Sequence, residues 1–395
     1  MSTLRITDGQ RRARLARRHL LLPALRADTV EAVADALVGL HASDAATVYL
    51  SAGARLAAPS PDEVERALYQ DVTLVKLLSM RHTLFAVTLD MAPYVESSTG
   101  RAIQARERRT VLKFLREHGE DGTAWDERRL AAVERRVLDV LAARGEATTA
   151  ELAQEIPALR ESVIVSRGKP YQSRQSVGSR VVRLLACDGQ LRRARPRGSW
   201  TSSSYPWAPA PRLPELPERE ARAELARRWL AAFGPATEAD LKWWTGWTLR
   251  DTRGALADMG AVQAELTDVG TGYVLPDDPE EPDHAEEPAP WAALLPALDP
   301  TAMGWRGRDW YLSPGDVPAL FDRAGNIGPT VWWNGRIVGG WAQRADGEVV
   351  WCLLADVGRE ATVAIEDEAR RLASWLGTVR VTPRFRTPLE RELVR

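Results

Sequence analysis

Cysteine is nearly absent from this chain: 395 residues hold two, Cys187 and Cys352, far apart and without a CxxC partner. That excludes a disulfide framework and a cysteine zinc site, and points to the cytoplasm. Histidine is scarce too. The five present, His19, His41, His82, His118 and His284, lack metal-ligand spacing. No stretch approaches the roughly 20 apolar residues that span a bilayer. The arginine-rich start, "MSTLRITDGQRRARLARRHLLLPAL", leads into an apolar run too short for a signal peptide and has no small-residue cleavage site. Also missing are GxGxxG after a strand, a P-loop, HExxH and GxSxG. The expectation is a soluble, unexported protein with no metal, no cofactor and no membrane partner. Net charge is −1, from 53 Lys+Arg against 54 Asp+Glu, which excludes a wholly basic nucleic-acid coat protein and leaves local charge to decide.

What is present is a recurring order of segments. Asp28 to Glu31 reads as a capping box, and Val30, Val33, Leu37 and Leu40 follow at helical spacing, giving a helix to about Gly39. A second helix covers about 44 to 57. Ser60-Pro61-Asp62-Glu63 opens a third, to about Tyr69. "VTLVKLLSMRHTLFAVT" then reads as a hairpin broken at Arg81-His82. Three helices and a two-stranded ribbon make a winged helix. The order returns in "DERRLAAVERRVLDVLAARG", the capping box Thr148 to Glu151, "SVGSRVVRLLACDGQ" and the ribbon "LRRARPRGSWTSSSYPW". It returns once more in "PEREARAELARRWLAAFG", "ATEADLKWWTGW", "LRDTRGALADMG" and "AVQAELTDVGTGYVLP".

Between about 276 and 287, "PDDPEEPDHAEE" carries seven acids, three prolines and no Lys or Arg, which reads as a solvated linker or loop. Beyond it, strand-like runs alternate with Asn-Gly and Asp-Gly turns, a hairpin signal, before the closing helix "EDEARRLASWL". Fourteen of the fifteen tryptophans lie from Trp200 onward, and the pairs Trp243-Trp244 and Trp332-Trp333 raise the idea of base-stacking platforms. Core filling explains them better, with at most one of each pair exposed. The fold expected is α+β: three tandem winged-helix modules (1–100, 101–210, and 211–288 with the acidic linker), then a β-barrel-like domain at 289–395.

Local charge marks a binding face. Arg180, Arg183, Arg192, Arg193, Arg195 and Arg197 stand against one acid, Asp188, on the third helix and ribbon of the second module. In a winged helix those elements approach a duplex, the helix entering the major groove and the ribbon tracking phosphate. Like charges concentrated on one ribbon repel unless an anion meets them. The basic stretch Arg101 to Arg116 reads instead as an ordinary solvated helix face. Arg81 and His82, at the tip of the first ribbon, are either polar turn residues or further phosphate contacts.

Together "GLHASDAATVYLSAGAR", "SMRHTLFAV", "RPRGSWTSS", "FGPATEADLKWWTGW", "LLPALDPTAMGWRGRDWYL" and "GRIVGGWAQR" resemble the AlkZ/YcaQ-type winged-helix DNA glycosylases, over nearly the whole chain. The resemblance implies a concave channel for double-stranded DNA. It also implies hydrolysis of the N-glycosidic bond of alkylated purines, including bulky adducts and interstrand crosslinks made by DNA-damaging natural products, in repair or self-resistance. The enzyme expected is a monofunctional, nucleoid-associated monomer, since no Lys near the motif suggests Schiff-base lyase chemistry. The alternative is a DNA-binding regulator without catalysis. The family carries a Gln-apolar-Gln or Gln-apolar-Asp motif where this chain has His41, Ala42 and Ser43, with Asp44 next. His41 can position or deprotonate water, Ser43 can hold it, and Asp44 can face a developing sugar cation. Equally, Ser43 or Asp44 can cap the second helix while His41 closes the first.

Overall fold

The computed structural model describes residues 4–119, 125–166, 168–170, 172–278 and 288–395. The first helix of the motif region, Val30–Ala36, starts one residue later than its capping pattern suggested. Thr29 is the cap, accepting from the Ala32 amide, because Glu31 is drawn away to Arg66 at 2.9 Å. It also ends earlier than expected. Val38 and Gly39 turn with φ of 56° and 125°, and Leu40–His41 continue as a short strand paired with Ala86 and Phe85. Helix Ala45–Gly53 follows, and Ser60 caps Pro61–Glu65 as its sequence dictates. Strands Leu74–Ser79 and Thr83–Thr88 form the hairpin, and Arg81 and His82 make its turn at φ of 53° and 59°.

The same order occupies the middle of the chain. Helices Glu127–Arg144, Thr149–Glu155 and Val177–Cys187 precede the ribbon Leu191–Arg193 with Trp207–Pro209, and Ala147 bridges to Trp207. The Thr148/Glu151 capping box is formed. A hairpin absent from the sequence reading, Ser162–Val165 with Ser173–Ser176, is inserted before the third helix. This unit has its own core, built from Leu115, Leu130, Val137, Leu141, Leu152 and Leu185 among others. The third occurrence comprises helices Glu218–Phe233, Glu238–Thr245 and Leu249–Asp258 and strands Val262–Leu266 and Gly270–Val274, joined by Arg5–Ile6 from the chain start.

The C-terminal region departs from the barrel expected of it. Ala292–Leu295, Thr330–Trp333, Arg336–Gln343 and Val349–Leu353 form an open four-stranded antiparallel sheet in chain order, turning at Asn334-Gly335 with φ of 45° and 79°. Four strands are too few to enclose a filled interior. Helix Gly358–Leu376 covers the sheet instead, its Ala361, Ile365 and Ala369 packing with Val331, Val338 and Trp341. That cluster also contains Val48 and Tyr49 of the motif helix. A second cluster joins Phe85 of the first hairpin to Trp229, Trp244, Trp305 and Trp332. As expected of the tryptophan pairs, Trp244 and Trp332 are buried and Trp243 and Trp333 only partly so. The acidic segment is not wholly solvated: Asp278 is buried between Arg14 and Arg18, at 3.0 and 2.5 Å. Its residues 279–287, His284 included, lie outside the described residues.

Candidate nucleic-acid cleft

Between the first hairpin and the second unit run two hollows of about 640 and 800 Å³, which share Lys76, Arg183 and Arg193 as lining. Arg180 and Arg192 line the smaller one. Helix Val177–Cys187 places Arg180 and Arg183 on one face by their three-residue spacing. The guanidinium of Arg180 lies 3.6 Å over the Phe114 ring, and that of Arg193 lies 4.7 Å over Tyr205. Burial lowers the pKa of Arg180, and the nearby Arg183 lowers it further; burial lowers Arg192 as well. Among the described residues none of these four arginines has an acidic partner within ion-pair distance. Arg195 and Arg197 differ, pairing with Glu65 at 2.6 Å and Glu151 at 2.9 Å.

The opposite wall of the larger hollow contains Ala42, Ser43 and Asp44. Asp44 is the cap of helix Ala45–Gly53: one carboxylate oxygen accepts from the Ala46 amide at 3.1 Å, the other from the Arg384 amide at 2.8 Å. Both halves of its side chain are thus fixed by the backbone. Ser43 beside it is half-buried. His41 is elsewhere. It is 5 % exposed, its ring packs 5.4 Å from Phe85, and its buried Nδ1 has no hydrogen-bond partner. Burial, with help from the Arg81 charge, pushes its pKa down to about 4, so the ring is neutral near pH 7. His41 is not among the residues lining either hollow.

A buried polar network holds that wall. Arg55, ending the motif segment, pairs with Asp299 at 2.7 Å, both side chains having no exposure. Ser51 donates to the same carboxylate at 2.7 Å, and Thr301 joins Arg55 to His19. "SAGAR" and "ALDPT" are therefore two halves of one clamp, and it fixes helix Ala45–Gly53, hence Asp44, against the C-terminal sheet.

The structure brings Ser43, Asp44, Arg180, Arg183, Arg192 and Arg193 to one cleft, while Arg195 and Arg197 pair with acids. Arg81 and His82 are also set apart: His82 bonds Glu107 at 3.0 Å, and Arg81 stacks 3.8 Å from Trp243. Lys76, Tyr69, Tyr205 and Arg384 line the cleft without having been singled out from sequence. Lys76 had a readable signal, a lone cation inside the apolar strand "LVKLLS". Arg384 had none, since 340 residues separate it from Asp44.

Helix-and-hairpin units around a cation-lined cleft define a nucleic-acid-binding architecture. The AlkZ-like DNA glycosylase family model matches residues 34–375, and the chain belongs to that family of DNA-acting enzymes. It is 28 % identical over 383 residues, covering 88 % of this chain and 91 % of the relative, to a Streptomyces sahachiroi protein named "Interstrand DNA cross-link repair glycosylase". The fold is similar to that of the solved Streptomyces sahachiroi DNA glycosylase AlkZ, with a TM-score of 0.69 at 23 % identity, over 96 % of this chain and 99 % of the other. No helix among the described residues is long and apolar enough to cross a membrane.

Proposed function

We propose that the cleft holds double-stranded DNA and that Asp44 and Ser43 carry the hydrolysis of the N-glycosidic bond of an alkylated or bulky purine, without a lyase step. The three repeats are read as winged helices at 1–100, 101–210 and 211–288, surrounding the duplex as a monomer. Arg180, Arg183, Arg192 and Arg193 face phosphate. The observation that carries this is the convergence, on one hollow of about 800 Å³, of a backbone-fixed carboxylate with Arg183 and Arg193, which have no acid within ion-pair distance among the described residues. That volume lies within the roughly 300–1,000 Å³ of pockets for drug-sized ligands, which suits a bulky adduct and, by analogy with the relative's name, a crosslinked one.

The chemistry needs little from the protein. A purine alkylated at N7 or N3 is cationic, so the C1′–N9 bond breaks with its electron pair going to the base, which leaves neutral. Positive charge develops on the sugar, where Asp44 supplies a fixed negative charge. Water held by Ser43 adds to C1′ and gives its proton to Asp44 or to solvent. A neutral His41 packed behind this wall supports the strand that presents Ala42 and Ser43.

Duplexes carrying N7-methylguanine test the reading, with abasic sites measured in single turnover. Asp44→Asn keeps the cap on Ala46 but loses the bond from the Arg384 amide, so it should cut the rate roughly 10²-fold or more while lowering stability by only about 1 kcal/mol. His41→Gln should change the rate by less than about tenfold. Full activity in Asp44→Asn would sink the assignment.

A further inference from the structure

On the far side of the first hairpin's turn lies a second open groove, of about 550 Å³, lined by Arg81, Trp243, Arg306, Arg308 and Arg323. Its acids are Asp309 and Asp322, and the Asp322 carboxylate is already engaged by the Ala324 and Asn326 amides. Four cations against two acids leave it net positive.

The two central guanidiniums are unusual. Arg81 lies 3.8 Å and Arg308 4.9 Å from the centre of the Trp243 ring, and the buried Nε of each has no hydrogen-bond partner. Among the described residues neither has a carboxylate within ion-pair distance. They also repel one another, and this, after burial, brings the Arg81 pKa down to about 10. An aromatic face offsets part of that cost; a bound anion would offset the remainder. The groove is also built rather than accidental. Asp240, itself 3 % exposed, accepts from the Arg306 and Gly307 amides at 2.9 Å each, pinning this loop to the helix that carries Trp243.

We infer that this groove is a second phosphodiester-binding site, which takes the DNA backbone as it leaves the main cleft across the turn of the first hairpin. This rests on the DNA-cleft reading above. The hairpin joins the two places: Lys76 lines the cleft, Arg81 lines the groove, and His82, next to Arg81, bonds Glu107, which lines the cleft. Lys76 and Arg81 are five residues apart, the last two steps lying in the turn, so the two places are within about 17 Å, at most about five nucleotide steps along one DNA strand. The ligand is a phosphate oxygen, recognised by paired guanidiniums without reference to base.

The test measures binding of the full chain to an unmodified duplex of about 25 base pairs across a KCl series, for Arg308→Ala, Arg306→Ala and Arg193→Ala, with Tm recorded for each. Arg306 is exposed, so its variant keeps the test valid if Arg308→Ala is unstable. Each groove variant should weaken binding roughly three- to tenfold regardless of sequence and flatten the salt slope by about 0.9. Unchanged affinity and slope on this duplex for both groove variants, with Arg193→Ala still weakening binding, overturns the groove and leaves the cleft standing. A response to Arg308 but not Arg193 overturns the cleft instead. Inorganic phosphate shifting the Trp243 indole N–H resonance while duplex binding ignores Arg308 also overturns the proposal, because the groove would then hold free phosphate rather than backbone.

Discussion

The two walls of the cleft are made differently. The wall that bears Arg180, Arg183, Arg192 and Arg193 belongs to a unit with a core of its own, whereas the wall with Ser43 and Asp44 shares its cores with the third unit and the C-terminal sheet. Charge is arranged in parallel. On the first wall Arg180, Arg183, Arg192 and Arg193 have no acidic partner among the described residues; on the second, the carboxylates of Asp44 and Asp299 are tied to backbone amides or to Arg55. An arm that presents charge faces a body that holds the Asp44 carboxylate still, which is the division the proposed reading requires, since phosphate contacts are sequence-independent and reaction needs fixed geometry.

Destabilising one wall at a time breaks the comparison most strongly. Arg55→Ala strands the unexposed Asp299 carboxylate and should cost the body about 3–5 kcal/mol, while Leu141→Ala should cost the arm about 2–5 kcal/mol. In calorimetry of the full chain, each should lower a different transition. A single transition lowered equally by both would show that the walls fold as one unit.

Acid should separate the walls next. His41 and His19 sit in the body with pKa values pushed down, mainly by burial, to about 4 and about 3. Below the unfolded value near 6.5, the unfolded chain binds protons that the folded body refuses, so the body loses stability as pH falls from about 6.5 toward 4, by up to about 3 kcal/mol for His41. In the arm, burial pushes Asp188 up to about 6, against the opposing pull of Arg108. Its folded form takes up a proton first, so the arm gains stability between about pH 6 and 4. His41→Gln should flatten the body's slope alone. A body transition indifferent to pH in that window would contradict the burial of both imidazoles.

The smallest expected effect separates two kinds of arginine on the arm. Replacing Arg192 and Arg193 with Ala should flatten the salt dependence of DNA binding by about two units, one per phosphate contact. Replacing Arg195 and Arg197, which already answer Glu65 and Glu151, should flatten it by less than one. Equal slopes would mean that those ion pairs open on DNA.

Where local chemistry decides, the sequence was legible. The Arg81-His82 break, the Thr148/Glu151 box, the Asn334-Gly335 turn and the basic third helix all lie where caps, turns and charge put them. The inserted hairpin was hidden because Ser173–Ser176 is exposed on both faces and carries no alternation. His41 could not be placed for a related reason. A two-residue strand has no period to read, and its neighbour in the sheet, Phe85, is 44 residues away.

The sequence by itself determined the order of helices and ribbons, the concentration of arginine on one of them and the family, because caps, periodicity and charge act over a few residues. Tertiary structure alone decided which motif residues face the cleft, that Arg55 closes on Asp299, that Arg81 meets Arg308 across Trp243, and that the last four strands stay open under a helix. Each of those depends on burial and on charges brought together from distant parts of the chain, and neither is a property of any short segment.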